Sequence, residues 1–109
     1  MTRITVFRNH KQQYVAFSCL GHSGYAESGE DIVCAGISAL VINTINALEA
    51  LTSEEFETEQ DAGTGLITVS FLLPAEHDAK LLIDAMILGL QGIRNNYGNE
   101  YITLDFKEV

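Results

Sequence analysis

Alternating apolar and polar positions open the chain. Residues 2–8 alternate and are rich in β-branched and aromatic types, and residues 13–20, Gln13-Tyr14-Val15-Ala16-Phe17-Ser18-Cys19-Leu20, repeat that character. The polar stretch Asn9–Gln12 between them predicts a hairpin. A glycine-rich segment follows, and then the period changes. From Ile32 to Leu51, apolar residues recur at spacings of three and four: Val33, Ile37, Leu40, Val41, Thr44, Leu48 and Leu51. This predicts a helix with Asp31 as its N-cap. Ala35, Ala39, Ile42 and Ile45 make most of the remaining surface apolar or small, so the helix should be covered on more than one side. The sheet and either a second helix or a second subunit would do this.

Glu55–Gln60 alternates again, with Glu55, Glu57 and Glu59 on one face and Phe56 and Thr58 on the other, as in a strand with a solvent face. Asp61–Gly65 reads as a turn, and Leu66–Leu73 as a near-continuous apolar strand near the sheet centre. Pro74 is expected to open a second helix, with Glu76 and Asp78 near its positive end. Leu82, Met86, Leu90, Ile93 and Tyr97 form its apolar stripe. Gly89 and Gly92 would let another backbone approach, and Gly98 would end the helix at C′. Tyr101–Phe106 is the last strand. The order β-β-α-β-β-α-β predicts an α+β fold, with two helices packed on one face of a largely antiparallel sheet.

At 109 residues and 47% hydrophobic, with one proline and no low-complexity tract, the chain reads as one domain, residues 1–109, with a single core. The net charge of −9, from 15 acidic and 6 basic residues, argues against nucleic acid as a direct partner. It favours encounter with a basic partner, although a charged surface also serves solubility. Two cysteines make no disulfide framework, and no signal peptide precedes the first strand. Ser38, Asn43, Thr44, Asn46 and Glu49 interrupt the longest apolar run, which argues against a membrane span. These features suggest a reducing cytoplasm, where a thiol stays free.

The chemistry concentrates in Gly21-His22-Ser23-Gly24-Tyr25-Ala26-Glu27-Ser28-Gly29-Glu30-Asp31-Ile32-Val33-Cys34. Cys34 falls in the first helical turn, where the dipole favours a thiolate, and a nearby imidazole favours it too. The glycines let the loop fold back and bring His22 towards Cys34. A buried, inert cysteine and a solvated loop histidine are the bland alternatives. Asp31 has two candidate roles, as helix cap and as the group that orients His22, compatible only if its second oxygen is free. Helix-start amides, that of Cys34 among them, are candidates to hold an oxyanion. Ser38, one turn further, is expected to bond back to the Cys34 carbonyl. Cys19 should simply pack in its strand.

Other chemistries fit less well. Cys19, His22 and Cys34 give C-x2-H-x11-C without a fourth ligand at suggestive spacing, so no metal is expected. The glycines match no phosphate-loop pattern, and acidic neighbours would repel a phosphate. No cofactor is implied.

Gly21-His22-Ser23-Gly24-Tyr25-Ala26, then Gly29, then Asp31-Ile32-Val33-Cys34-Ala35, resembles the signature of the bacterial ribosomal-processing cysteine proteases, the Prp family. The resemblance runs the length of the chain. It implies a cytoplasmic, homodimeric endopeptidase that removes an N-terminal extension from the precursor of large-subunit ribosomal protein twenty-seven. It carries the base onto His22 and the nucleophile onto Cys34. The mobile substrate loop falls on residues 21–31, with Gly21, Ser23, Gly24, Tyr25 and Gly29, and Tyr25 would line an apolar subsite. Ser23 and Gly36 stand where the family often has alanine. The alternative is a non-catalytic ribosome-assembly or peptide-binding module that uses the same acidic groove.

Overall fold

The computed structural model describes residues 1–22, 24, 26, 27 and 31–109. The elements follow the expected order: β1 (Thr2–Arg8), β2 (Tyr14–Leu20), α1 (Ile32–Leu51), β3 (Phe56–Asp61), β4 (Leu66–Phe71), α2 (His77–Tyr97) and β5 (Ile102–Glu108). They build one five-stranded sheet in the order β3-β4-β2-β1-β5. All neighbours are antiparallel except β1 and β5.

Ile4 and Val6 of β1, Phe17 and Cys19 of β2, Val69 and Phe71 of β4 and Ile102 of β5 are buried. Val33, Ile37, Val41, Ile45 and Leu48 of α1 and Ile83, Met86 and Leu90 of α2 close the core over them. The cross-strand pairs Ile4–Cys19, Val6–Phe17 and Phe17–Val69 fix the register, because a one-residue slip would turn this set towards solvent.

The two helices pack against each other through small residues. A Cβ at Gly89 would lie 2.9 Å from Leu40 Cδ1, and one at Gly36 would lie 3.3 Å from Ile93 Cδ1. Gly89 therefore admits the Leu40 side chain rather than the neighbouring backbone the sequence suggested, and a Cβ at Gly92 would meet nothing within 4 Å. Gly98 ends α2 with φ +108°, its amide donating to the Arg94 carbonyl at 2.8 Å.

Some boundaries differ from the sequence reading. Pro74 does not open α2, which starts at His77 with Glu76 as N-cap. The intervening amides are engaged elsewhere: Ala75 donates to the Tyr14 carbonyl at 2.9 Å and Glu76 to Glu54 Oε1 at 2.8 Å. β4 stops at Phe71, because the Leu72 amide turns to the Glu55 carbonyl. The centre of the sheet is β2, with β4 second from the edge. β3 is that edge strand, and only its Phe56 is half-buried. By length and mean hydropathy, 1.6, α1 meets the requirement for a membrane span despite its polar residues; here its apolar stripe is packed into the core.

Candidate active site

The site forms where β2 ends, α1 begins and the β3–β4 turn comes alongside. Asp31 has extended backbone angles, φ −80° and ψ 95°, and its Oδ1 accepts the Cys34 amide at 2.8 Å. Its carbonyl accepts the Ala35 amide at 3.0 Å. The expected cap is therefore present, and it sets Cys34 as the third helical residue. The same bond occupies the Cys34 amide, so that group is not an open oxyanion donor as the sequence suggested.

Gly21 ends β2 with φ +92°, and Gly24 has φ +73°. Such angles suit residues without a Cβ. His22 stands between them. His22 and Cys34 line two cavities in common. One, about 520 Å³, is floored by Cys19, Ile37, Val41 and Ile67 and rimmed by Gln60 and Asp61. The other, about 430 Å³, adds Gly24, Ala26 and Asp31. Ser38 lines both. Its hydroxyl makes no bond to the Cys34 carbonyl among the described residues; the helical hydroxyls that bond back in this way are Thr44, to Leu40, and Thr52, to Leu48. Ser38 is exposed towards the cavities instead.

Cys34 is half-buried and Cys19 buried, and both are free thiols. Burial, with a smaller contribution from the nearby Cys34, pushes the Cys19 thiol up to about 11. Cys19 thus stays protonated at neutral pH and packs in its strand as expected. Among the described residues, no three His, Cys, Asp or Glu side chains converge to hold a metal ion. Of the loop residues singled out in the sequence, Ser23, Tyr25 and Gly29 lie outside the described residues.

The family model for the cysteine protease Prp matches residues 1–103. The chain belongs to the Prp family. It is 35% identical over 103 residues to the ribosomal processing cysteine protease Prp of Bacillus subtilis strain 168, covering 89% of this chain and 90% of that protein. Two structures of the essential Prp of S. aureus superpose closely. The form with a covalently linked product peptide gives a TM-score of 0.91 at 32% identity, covering 98% of this chain and 100% of that one. The form with a substrate peptide gives 0.86 at 31% identity over the same shares. The protein is a cysteine protease with the Prp fold.

The sequence reading missed the wall that the β3–β4 turn contributes. Gln60, Asp61, Ala62, Gly65, Leu66 and Ile67 line the larger cavity, although they lie at least 38 residues after His22 and at least 26 after Cys34. The β2–β4 pairing brings them there. No local signal marks that pairing.

Proposed function

We propose that the chain cleaves a peptide bond in a ribosomal protein precursor, with Cys34 as nucleophile and His22 as base. The observation that carries this reading is that His22 and Cys34 line the same two cavities at the start of a helix. The S. aureus relative with its covalently linked product peptide supports the same class of chemistry. His22 takes the thiol proton, and the thiolate attacks the scissile carbonyl carbon. The carbon–nitrogen bond then breaks as His22 returns the proton to the leaving amine. Water, deprotonated by His22, releases the acyl group and restores the thiol. The oxyanion needs a donor other than the Cys34 amide; the Ser38 hydroxyl lies on the same helix face.

The substrate we assign is the precursor of large-subunit ribosomal protein twenty-seven, cut behind its N-terminal extension. A chain of net charge −9 suits a basic substrate of this kind. The apolar floor of the larger cavity suits an apolar side chain next to the cut. Asp31 caps α1 and, in this reading, helps to orient His22. We further assign a cytoplasmic homodimer that spans no membrane and binds no nucleic acid directly. A second subunit would cover Leu81 and Leu88, one face of α2 left 61% and 71% exposed.

The test is to incubate the native, Cys34→Ala and His22→Ala proteins with the extended precursor and weigh the products. Cleavage by the native chain alone supports the assignment. A folded Cys34→Ala protein that cuts at the native rate overturns it. An uncut precursor that still binds the native chain would favour a peptide-binding module. Light scattering near 11.9 kDa would rule against the dimer.

A further inference from the structure

Gly21 and Gly65 face each other beyond the end of a ladder. The β2–β4 register pairs Ala16 with Ser70 and Cys19 with Ile67. Carried two residues further, it sets Gly21 across from Gly65. Both have positive φ, +92° and +71°. The gap between them has no room for a side chain. A Cβ at Gly65 would lie 3.2 Å from the Gly21 carbonyl oxygen and 3.3 Å from His22 Nε2. On the other side, a Cβ at Gly21 would lie 2.7 Å from the Met1 carbonyl oxygen. The His22 ring thus lies against bare backbone at Gly65, and its own main chain is held between that turn and the first residue.

We propose that Gly65 is a positioning residue for the histidine base. The turn without a side chain at the start of β4 fixes where the His22 ring sits over the cavity it shares with Cys34. This rests on the reading of His22 as base and Cys34 as nucleophile. A methyl group at Gly65 must displace either the imidazole or the Gly21 carbonyl just before it, and each displacement moves Nε2. Proton transfer requires heavy atoms within about 2.6–3.2 Å, and misplacement by about 1 Å costs on the order of a hundredfold. A shift of a few tenths of an ångström is therefore felt in the rate.

Two variants separate this contact from backbone strain. Asparagine tolerates a positive φ better than other residues with a side chain, so Gly65→Asn adds a Cβ with little strain. Gly98→Ala introduces strain at φ +108°, at the C-terminal end of α2, where a Cβ would come no closer than 3.9 Å, to Glu100 Oε1. The experiment compares native, Gly65→Ala, Gly65→Asn, Gly98→Ala and His22→Ala proteins. It measures kcat and KM on a synthetic peptide spanning the precursor's cleavage junction, the pH profile of Cys34 alkylation by iodoacetamide, and the melting temperature. Both Gly65 variants should lose roughly tenfold or more in kcat with KM changed less than about twofold. Their alkylation profiles should move towards that of His22→Ala, while Gly98→Ala keeps native kcat. A folded Gly65→Asn protein with native kcat and a native alkylation profile overturns the positioning role. A folded His22→Ala protein with native kcat would instead overturn the assignment of the base.

Discussion

Oδ1 of Asp31 accepts the backbone amide of Cys34 at 2.8 Å. One carboxylate oxygen therefore holds the first turn of α1 and the residue that carries the reactive sulfur. Truncating the side chain releases both. Asp31→Ala should cost about 1 kcal/mol of stability, a fall of several degrees in melting temperature, while Asp31→Asn keeps an acceptor and most of the stability. Thermal unfolding of the two variants checks this. If the charge also orients His22, Asp31→Asn should lower kcat at near-native stability.

The Asp31 cap could be read from the sequence because its partner is three residues away. The β1–β2 hairpin was equally legible, from two alternating segments and a short polar link. The start of α2 was not, because the Ala75 and Glu76 amides are engaged by Tyr14 and Glu54, on other elements. Nor was the seat of His22. It depends on β4 pairing with β2, and alternation shows that a strand has a buried face without showing which strand lies beside it. The pair His22 and Cys34 was visible as a motif. The apolar floor from Ile37, Val41 and Ile67 became a site feature only once three elements met.

Ser38 offers a steric test of the cavities. It is exposed, lines both and sits one turn after Cys34. Ser38→Phe should lower kcat/KM on a junction peptide by about tenfold or more, mainly through KM, by filling space the substrate needs. Its stability should stay within about 0.5 kcal/mol of native, as for most surface changes. Steady-state kinetics beside thermal melts would show both.

The Tyr14 hydroxyl donates to Asp84 Oδ1 at 2.5 Å, and Lys80 Nζ lies 2.7 Å from Oδ2, so β2 is tied to α2. Burial, then the hydrogen bond to Asp84 and its charge, push Tyr14 up to about 12. Burial also acts to raise Asp84, but hydrogen bonds from Lys80 and Tyr14, with the Lys80 charge, outweigh it and hold the carboxyl below its usual value. The contribution of Tyr14 is complete below its unfolded value near 10 and is lost as pH rises towards about 12. That of Asp84 is complete above the ordinary carboxylate range and is lost as pH falls through its lowered value. Tyr14→Phe should cost on the order of 1 kcal/mol at neutral pH, and the difference from native should shrink above pH 10. Urea midpoints across pH would measure it.

Gly89 and Leu40 set the spacing of the helices, with a Cβ at Gly89 only 2.9 Å from Leu40 Cδ1. Gly89→Val should destabilise by about 1–3 kcal/mol through overpacking. Adding Leu40→Ala should recover part of that loss, so the two changes are not additive. A double-mutant cycle by denaturant unfolding would reveal the coupling.

Of the two thiols, Cys19 is buried and protonated at any physiological pH, whereas Cys34 is half-buried at the start of α1; both line the larger cavity, and only Cys34 also lines the smaller one. An electrophile applied to the folded protein at neutral pH should therefore react at Cys34, because the buried Cys19 thiol is held protonated. A fluorescent or inhibitory warhead should add once per chain, so the extent of labelling counts working sites directly. The protein can be titrated, imaged or screened for covalent ligands without first removing its second sulfur.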